Sequence, residues 1–123
     1  MFTVMRFLDK SGAINLEALG ATLDRTCPGL FDGLDRVPRR FSCSLCSENG
    51  WRAHRQAILA TVTKCDETIK QAQKLGVSVS LDIAIEPEDY HGLVMLELPF
   101  DQEILGFLHT RVIDVTITIY GSA

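Results

Sequence analysis

Cys43-Ser44-Leu45-Cys46 sets two thiols three positions apart. That spacing serves thiol–disulfide centres and can supply half of a zinc site. A closed zinc site needs four ligands, so Cys27 and Cys65, the two other cysteines, would have to complete it from a loop and a helix. A redox centre of the thioredoxin kind places its cysteines at a helix N-terminus, which lowers the thiol pKa. Here Phe41, Cys43 and Leu45 alternate with Ser42, Ser44 and Cys46, which predicts a strand over 40–46. A strand sends residues 43 and 46 to opposite faces. Cys43 is therefore expected to be buried, Cys46 to lie exposed or at the strand end, and Cys65 to fill the core. Neither a metal nor a cofactor is expected.

Two charged clusters are the other features that could do chemistry. Glu86-Pro87-Glu88-Asp89-Tyr90-His91 gathers three carboxylates in a predicted turn. It lacks the ligand number and spacing of a calcium loop. Its bland reading is a solvated hairpin tip, and its functional reading is an acidic recognition loop anchored by Tyr90. Arg36, Arg39 and Arg40 form a basic spot beside Asp32 and Asp35. Ion pairs within the loop account for it, and contact with an anion or an acidic protein is the alternative. His54, His91 and His109 fall on a helix flank, a turn and a helix end, and are expected at the surface or as caps. None stands beside a serine, cysteine or acid in a catalytic pattern. Gly29 and Gly33 lack the spacing and the lysine of a phosphate loop. No catalytic residue is assigned and an enzyme is not expected.

The elements that position these residues follow from hydrophobic spacing. Phe2 to Leu8 reads as a central strand with apolar residues on both faces. Asn15 caps a first helix from Leu16 to about Arg25. Residues 27–39 read as a long irregular connection, and 40–46 as the second strand. One long helix is expected from Trp51 to Gly76, with Trp51, Ile58, Val62, Cys65, Ile69 and Ala72 as its apolar stripe. Strict alternation predicts a strand over Val77–Ile85, and another over Val112–Tyr120. Leu93–Leu98 reads as a strand hairpinned to Val77–Ile85. Asp101 caps a short helix ending at Thr110-Arg111. The expected class is α+β: a ferredoxin-like, about five-stranded antiparallel or mixed sheet with helices on one face. Its polar face would carry Ser78, Ser80, Asp82, Thr116, Thr118 and Tyr120.

The chain of 123 residues, 46% hydrophobic and 23% charged, reads as one domain over 1–123. A net charge of −4 argues against nucleic acid as a partner. Four cysteines without an export signal point to a reducing compartment, and no apolar run approaches a membrane span. A cytoplasmic protein with no membrane partner is expected. Met1 reads as a native start, so the chain is expected to be complete.

A tryptophan opens a long helix after a serine-bearing strand (Phe41 to Trp51). An amphipathic strand and glycine turn follow (Val77 to Gly92), and a short helix leads into an alternating strand ending in Ile119-Tyr120. On these features residues 41–120 resemble small bacterial proteins of the domain of unknown function 4279 family. The opening strand and helix would correspond to the family's first unit, and Pro38 to Arg40 stands where the family often has a proline and a basic or glycine residue. The cysteines are outside the resemblance. The family has no established activity, so no catalytic residue carries over. Some of its members look like accessory or immunity-type proteins beside bacterial toxins, which implies a binding role.

The expectation is thus a non-enzymatic protein-binding module. It would be a stoichiometric inhibitor, of immunity or anti-defence type, that occludes a toxin- or effector-type partner. Asp32, Asp35, Arg36, Arg39, Arg40, Glu86, Glu88, Asp89 and Tyr90 are the candidate contacts. A dimeric ferredoxin-like sensor of a small molecule is the alternative, and a zinc or redox protein using Cys43 and Cys46 a lesser one.

Overall fold

The computed structural model describes residues 1–35, 39–93 and 95–121. Its elements in chain order are β1 (Phe2–Asp9), α1 (Leu16–Thr26), β2 (Phe31–Asp35), β3 (Arg40–Cys46), α2 (Trp51–Lys64), α3 (Asp66–Lys74), β4 (Val77–Ile85), α4 (Pro87–Tyr90), α5 (Gln102–Thr110) and β5 (Asp114–Ile119). The strands form one mixed sheet in the order β2-β3-β1-β4-β5. β1 lies antiparallel between β3 and β4, β2 pairs antiparallel with β3, and β5 runs parallel to β4. The α+β class is as expected.

One face of the sheet makes the core. Met5 and Phe7, Phe41 and Cys43, and Val77, Val79 and Leu81 meet Leu16, Leu19 and Leu23 of α1, Ile58 and Val62 of α2, Ile69 and Ala72 of α3, and Ile104 and Leu108 of α5. Each large apolar side chain so buried stabilises the fold by about 1.5–3 kcal/mol. Phe7 and Phe41, partners across β1 and β3, stack with ring centroids 4.6 Å apart. The caps at Asn15 and Asp101 form as expected, accepting from the amides of Ala18 and Ile104 at 3.0 Å each.

The opposite sheet face carries half-buried Phe2, Val4 and Leu8. It also holds a polar net across three strands. Arg6 pairs with Asp82, and the Thr118 hydroxyl donates to Asp82 Oδ1 at 2.9 Å. Asp82 is buried there rather than bathed in solvent.

Four expectations are corrected. The long helix is two helices, broken at Cys65, where φ −95° and ψ 8° end α2 and begin α3. The apolar stripe continues through the break, so spacing alone conceals it. The irregular stretch contains β2, an edge strand on β3. Leu93–Leu98 is not a strand among the described residues. β4 has only two edges, and β1 and β5 already occupy them. His54 is fully buried, not superficial.

Candidate functional site

β5 is an outer strand, with Val115, Ile117 and Ile119 in register with Leu81, Ile83 and Ile85 of β4. The helices cover only the near end of this pair. Val115 packs against the main core cluster, whereas Ile83 and Ile85 are buried but stand apart from that cluster. Ile117 and Ile119 are left 44% and 67% exposed.

Residues 95–100 supply a partial second wall. They lie outside any helix or strand, with Leu96, Leu98 and Phe100 half-buried and Met95, Glu97 and Pro99 exposed. Their period-two pattern therefore reports one covered side, which is a weaker statement than a paired strand. Trp51 fixes the end of this segment. Its indole N–H donates to the Pro99 carbonyl at 2.9 Å and its ring packs on Phe100 at 4.7 Å. Arg55 then grips Asp101 and Glu103 at 3.0 and 3.2 Å.

α4 closes the third side. Glu86 and Asp89 form a reciprocal capping box around its single turn. The Tyr90 hydroxyl donates to the Tyr120 carbonyl at 2.7 Å, which ties α4 to the end of β5. The result is an apolar groove of about 370 Å³ lined by Ile85, Tyr90, Leu96, Leu98, Ile117 and Ile119. Leu93, Met95 and Tyr120 are further exposed apolar side chains of the segments that flank it. The one side-chain hydroxyl in the lining is already bonded, so the groove suits burial of apolar groups from a partner.

The candidate contacts fall in two places. Glu86, Glu88, Asp89 and Tyr90 stand at the Phe2 end of the sheet, beside the groove. Glu88 is exposed, but Asp89 turns inward, 2.6 Å from the Met1 ammonium. Burial pushes the Asp89 carboxyl up. The hydrogen bond from the ammonium, the Glu86 amide and nearby positive charge outweigh that and leave it below the ordinary 3.8. Arg39 and Arg40 stand at the other end, where Arg40 pairs with Leu8, about 20 Å away along β1. The Arg39 guanidinium donates to the Gly12 and Ile14 carbonyls at 3.2 and 2.7 Å and so holds the β1–α1 turn together. Asp32 and Asp35 are on β2, with side chains outside the described residues, as is all of Arg36. Among the described residues, Arg39 and Arg40 therefore do not share a surface with Glu86 to Tyr90.

The cysteines also depart from expectation. Cys43 is buried and Cys46 half-buried at the end of β3, as expected. A register shift between Thr3 and Val4, however, puts Cys46 opposite Thr3, on the helix side, and cancels the alternation that would separate the two faces. Among the described residues, no three histidine, cysteine or acidic side chains are grouped to hold a metal ion. Sequence reasoning missed Ile117, Ile119, Leu96 and Leu98, because apolar residues in alternation read as core wherever they lie. No family model, curated protein or solved structure matches this chain.

Proposed function

We propose that this protein is a small, cytoplasmic, non-enzymatic binding module that inhibits another protein by covering part of it, in the manner of an immunity or anti-defence factor. The observation that supports this reading is the exposed apolar groove beside β5. Ile117 and Ile119 of an edge strand, flanked by Leu93 and Met95, form the kind of patch that marks an interaction site. β5, Asp-Val-Thr-Ile-Thr-Ile, carries no lysine, proline or bulge to blunt its edge, so a partner could add a strand there as well. The partner class proposed is a toxin- or effector-type protein. The resemblance to the domain of unknown function 4279 family leans the same way. We read β1 through β4, in the order β2-β3-β1-β4, as a ferredoxin-like unit to which β5 is added.

The groove, rather than both charged loops together, is the proposed contact surface, with Tyr90 in its lining. Affinity capture with wild-type and Ile119→Asp baits tests this, with native mass spectrometry of the eluates. One protein held at fixed stoichiometry by the wild type and lost from the variant is expected, with equal melting temperatures for the two baits. The same protein retained by both baits would refute the assignment.

A second reading, a dimeric small-molecule sensor, rests on the size of the groove, since about 370 Å³ is enough for a small apolar ligand. It predicts a ligand-dependent rise in melting temperature that Ile119→Asp abolishes, without any captured protein.

A further inference from the structure

We propose that Cys27 and Cys65 are a disulfide-forming pair, closed by hydrogen peroxide and reopened by a thiol reductant. Their sulfurs lie 3.8 Å apart although the residues are 38 positions apart in the chain. Each sits where a helix ends. Cys27 closes α1, with its amide on the Leu23 carbonyl at 2.8 Å, and Cys65 is the break between α2 and α3. A disulfide needs its sulfurs about 2.05 Å apart. The remaining approach of under about 2 Å is within reach of side-chain rotation at two cap positions.

The two thiols are unequal, which orders the steps. Cys27 is half-buried and open to a small oxidant, while Cys65 is 1% exposed. Burial pushes the Cys65 thiol up to about 12, reinforced by its contact with Cys27, so Cys27 is the first of the two to react. The Cys27 sulfur attacks the peroxide, the O–O bond breaks, and Cys27 sulfenic acid forms with loss of one water. The Cys65 sulfur then attacks the Cys27 sulfur. The S–O bond breaks, the Cys65 proton leaves with the hydroxyl as a second water, and the S–S bond forms. Two thiols are oxidised by two electrons and one peroxide is reduced to two waters. The bridge fastens the end of α1 to the α2–α3 junction and encloses β2 and β3 in a covalent loop.

The test uses hydrogen peroxide on the reduced full chain, followed by alkylation of remaining thiols, intact mass and peptide mapping. The expected product is a monomer lighter by two hydrogens, with a linked peptide joining Cys27 to Cys65. It has Cys43 and Cys46 still reduced and alkylated, and a melting temperature raised by about 5–15 °C, and reductant reverses it. Cys46→Ser should still form the bridge, and Cys27→Ser should not. A map joining Cys43 to Cys46, or Cys27 carried on to sulfinic acid with Cys65 still alkylated, overturns the proposal. The wild-type map decides the matter even if a Cys65 variant fails to fold.

Discussion

Thr3→Val removes a single hydroxyl from a place where nothing can replace it. Thr3 and His54 are both fully buried, and Thr3 Oγ1 lies 2.8 Å from His54 Nδ1. On the other side of the ring, Nε2 lies 2.6 Å from the Glu48 carbonyl oxygen. A carbonyl only accepts, so Nε2 carries hydrogen and donates. In the neutral ring Nδ1 then accepts, and the Thr3 hydroxyl donates to it. This chain of bonds joins the start of β1 to α2 and to the turn before it. It also steadies a helix whose N-cap, Gly50, offers no side-chain bond. Valine keeps the shape of threonine and leaves Nδ1 buried without a donor, which costs about 1–3 kcal/mol. For a domain of this size that is a fall in melting temperature of about 3–12 °C. Urea unfolding followed by circular dichroism should show a lower midpoint at an unchanged slope. In a cycle with His54→Leu, the double variant should lose less than the sum of the singles, with a coupling of about 0.5–3 kcal/mol. A Thr3→Val protein within about 0.5 kcal/mol of wild type, or a strictly additive cycle, would refute the reasoning.

Three other outcomes follow from the same structure. Val112 holds φ 55°, a left-handed backbone, at the end of α5. The Ile113 and Val112 amides bond back to Leu108 and His109 at 3.1 and 3.0 Å, an arrangement that normally takes glycine. Because Val112 is exposed, Val112→Gly should raise stability by about 0.5–1 kcal/mol in urea melts; a loss would show that its side chain matters. Arg39→Ala should cost about 1–3 kcal/mol by releasing the Gly12 and Ile14 carbonyls, and no change would show that Asp9 alone holds the turn.

Acid should destabilise the fold through carboxylates held below 3.8: Asp9 by the Ser11 hydroxyl first, Asp66 by Lys70 first, Asp101 by the Ile104 amide first, and Asp89 despite its burial. The unfolded chain takes up these protons first, so the stabilisation is complete above pH 3.8 and fades as pH falls through the lower folded values. Unfolding midpoints that stay level through that range would contradict it.

The groove shows where local reading stops. Tyr90 stood out in the sequence as a tyrosine beside a proline turn and acids, and it lines the groove. Ile117 and Ile119 did not stand out, because their alternation with threonine is identical whether helices cover the strand's inner face or end short of it. The alternation of Leu96 and Leu98 was legible, but their pairing depended on whether β4 had an edge to spare. The paired thiols Cys27 and Cys65 had no signal at all, since their meeting depends on how α1 lies across the α2–α3 break.

By itself the sequence determined what is local: the strands expected over Phe2–Leu8, Arg40–Cys46, Val77–Ile85 and Val112–Tyr120 form, the first extended to Asp9 and the last trimmed to Asp114–Ile119 by the left-handed turn at Val112, as do the caps at Asn15 and Asp101 and the apolar stripes that make the core. Periods of two and 3.6 and short side chains at helix starts are properties of a few neighbouring residues. Tertiary structure decided the rest. It set the strand order, buried His54 against Thr3, put Arg39 and Arg40 at the opposite end of the sheet from Glu86 to Tyr90, and left the end of β5 uncovered. These depend on which elements compete for an edge or a face, and that competition involves residues far apart in the chain.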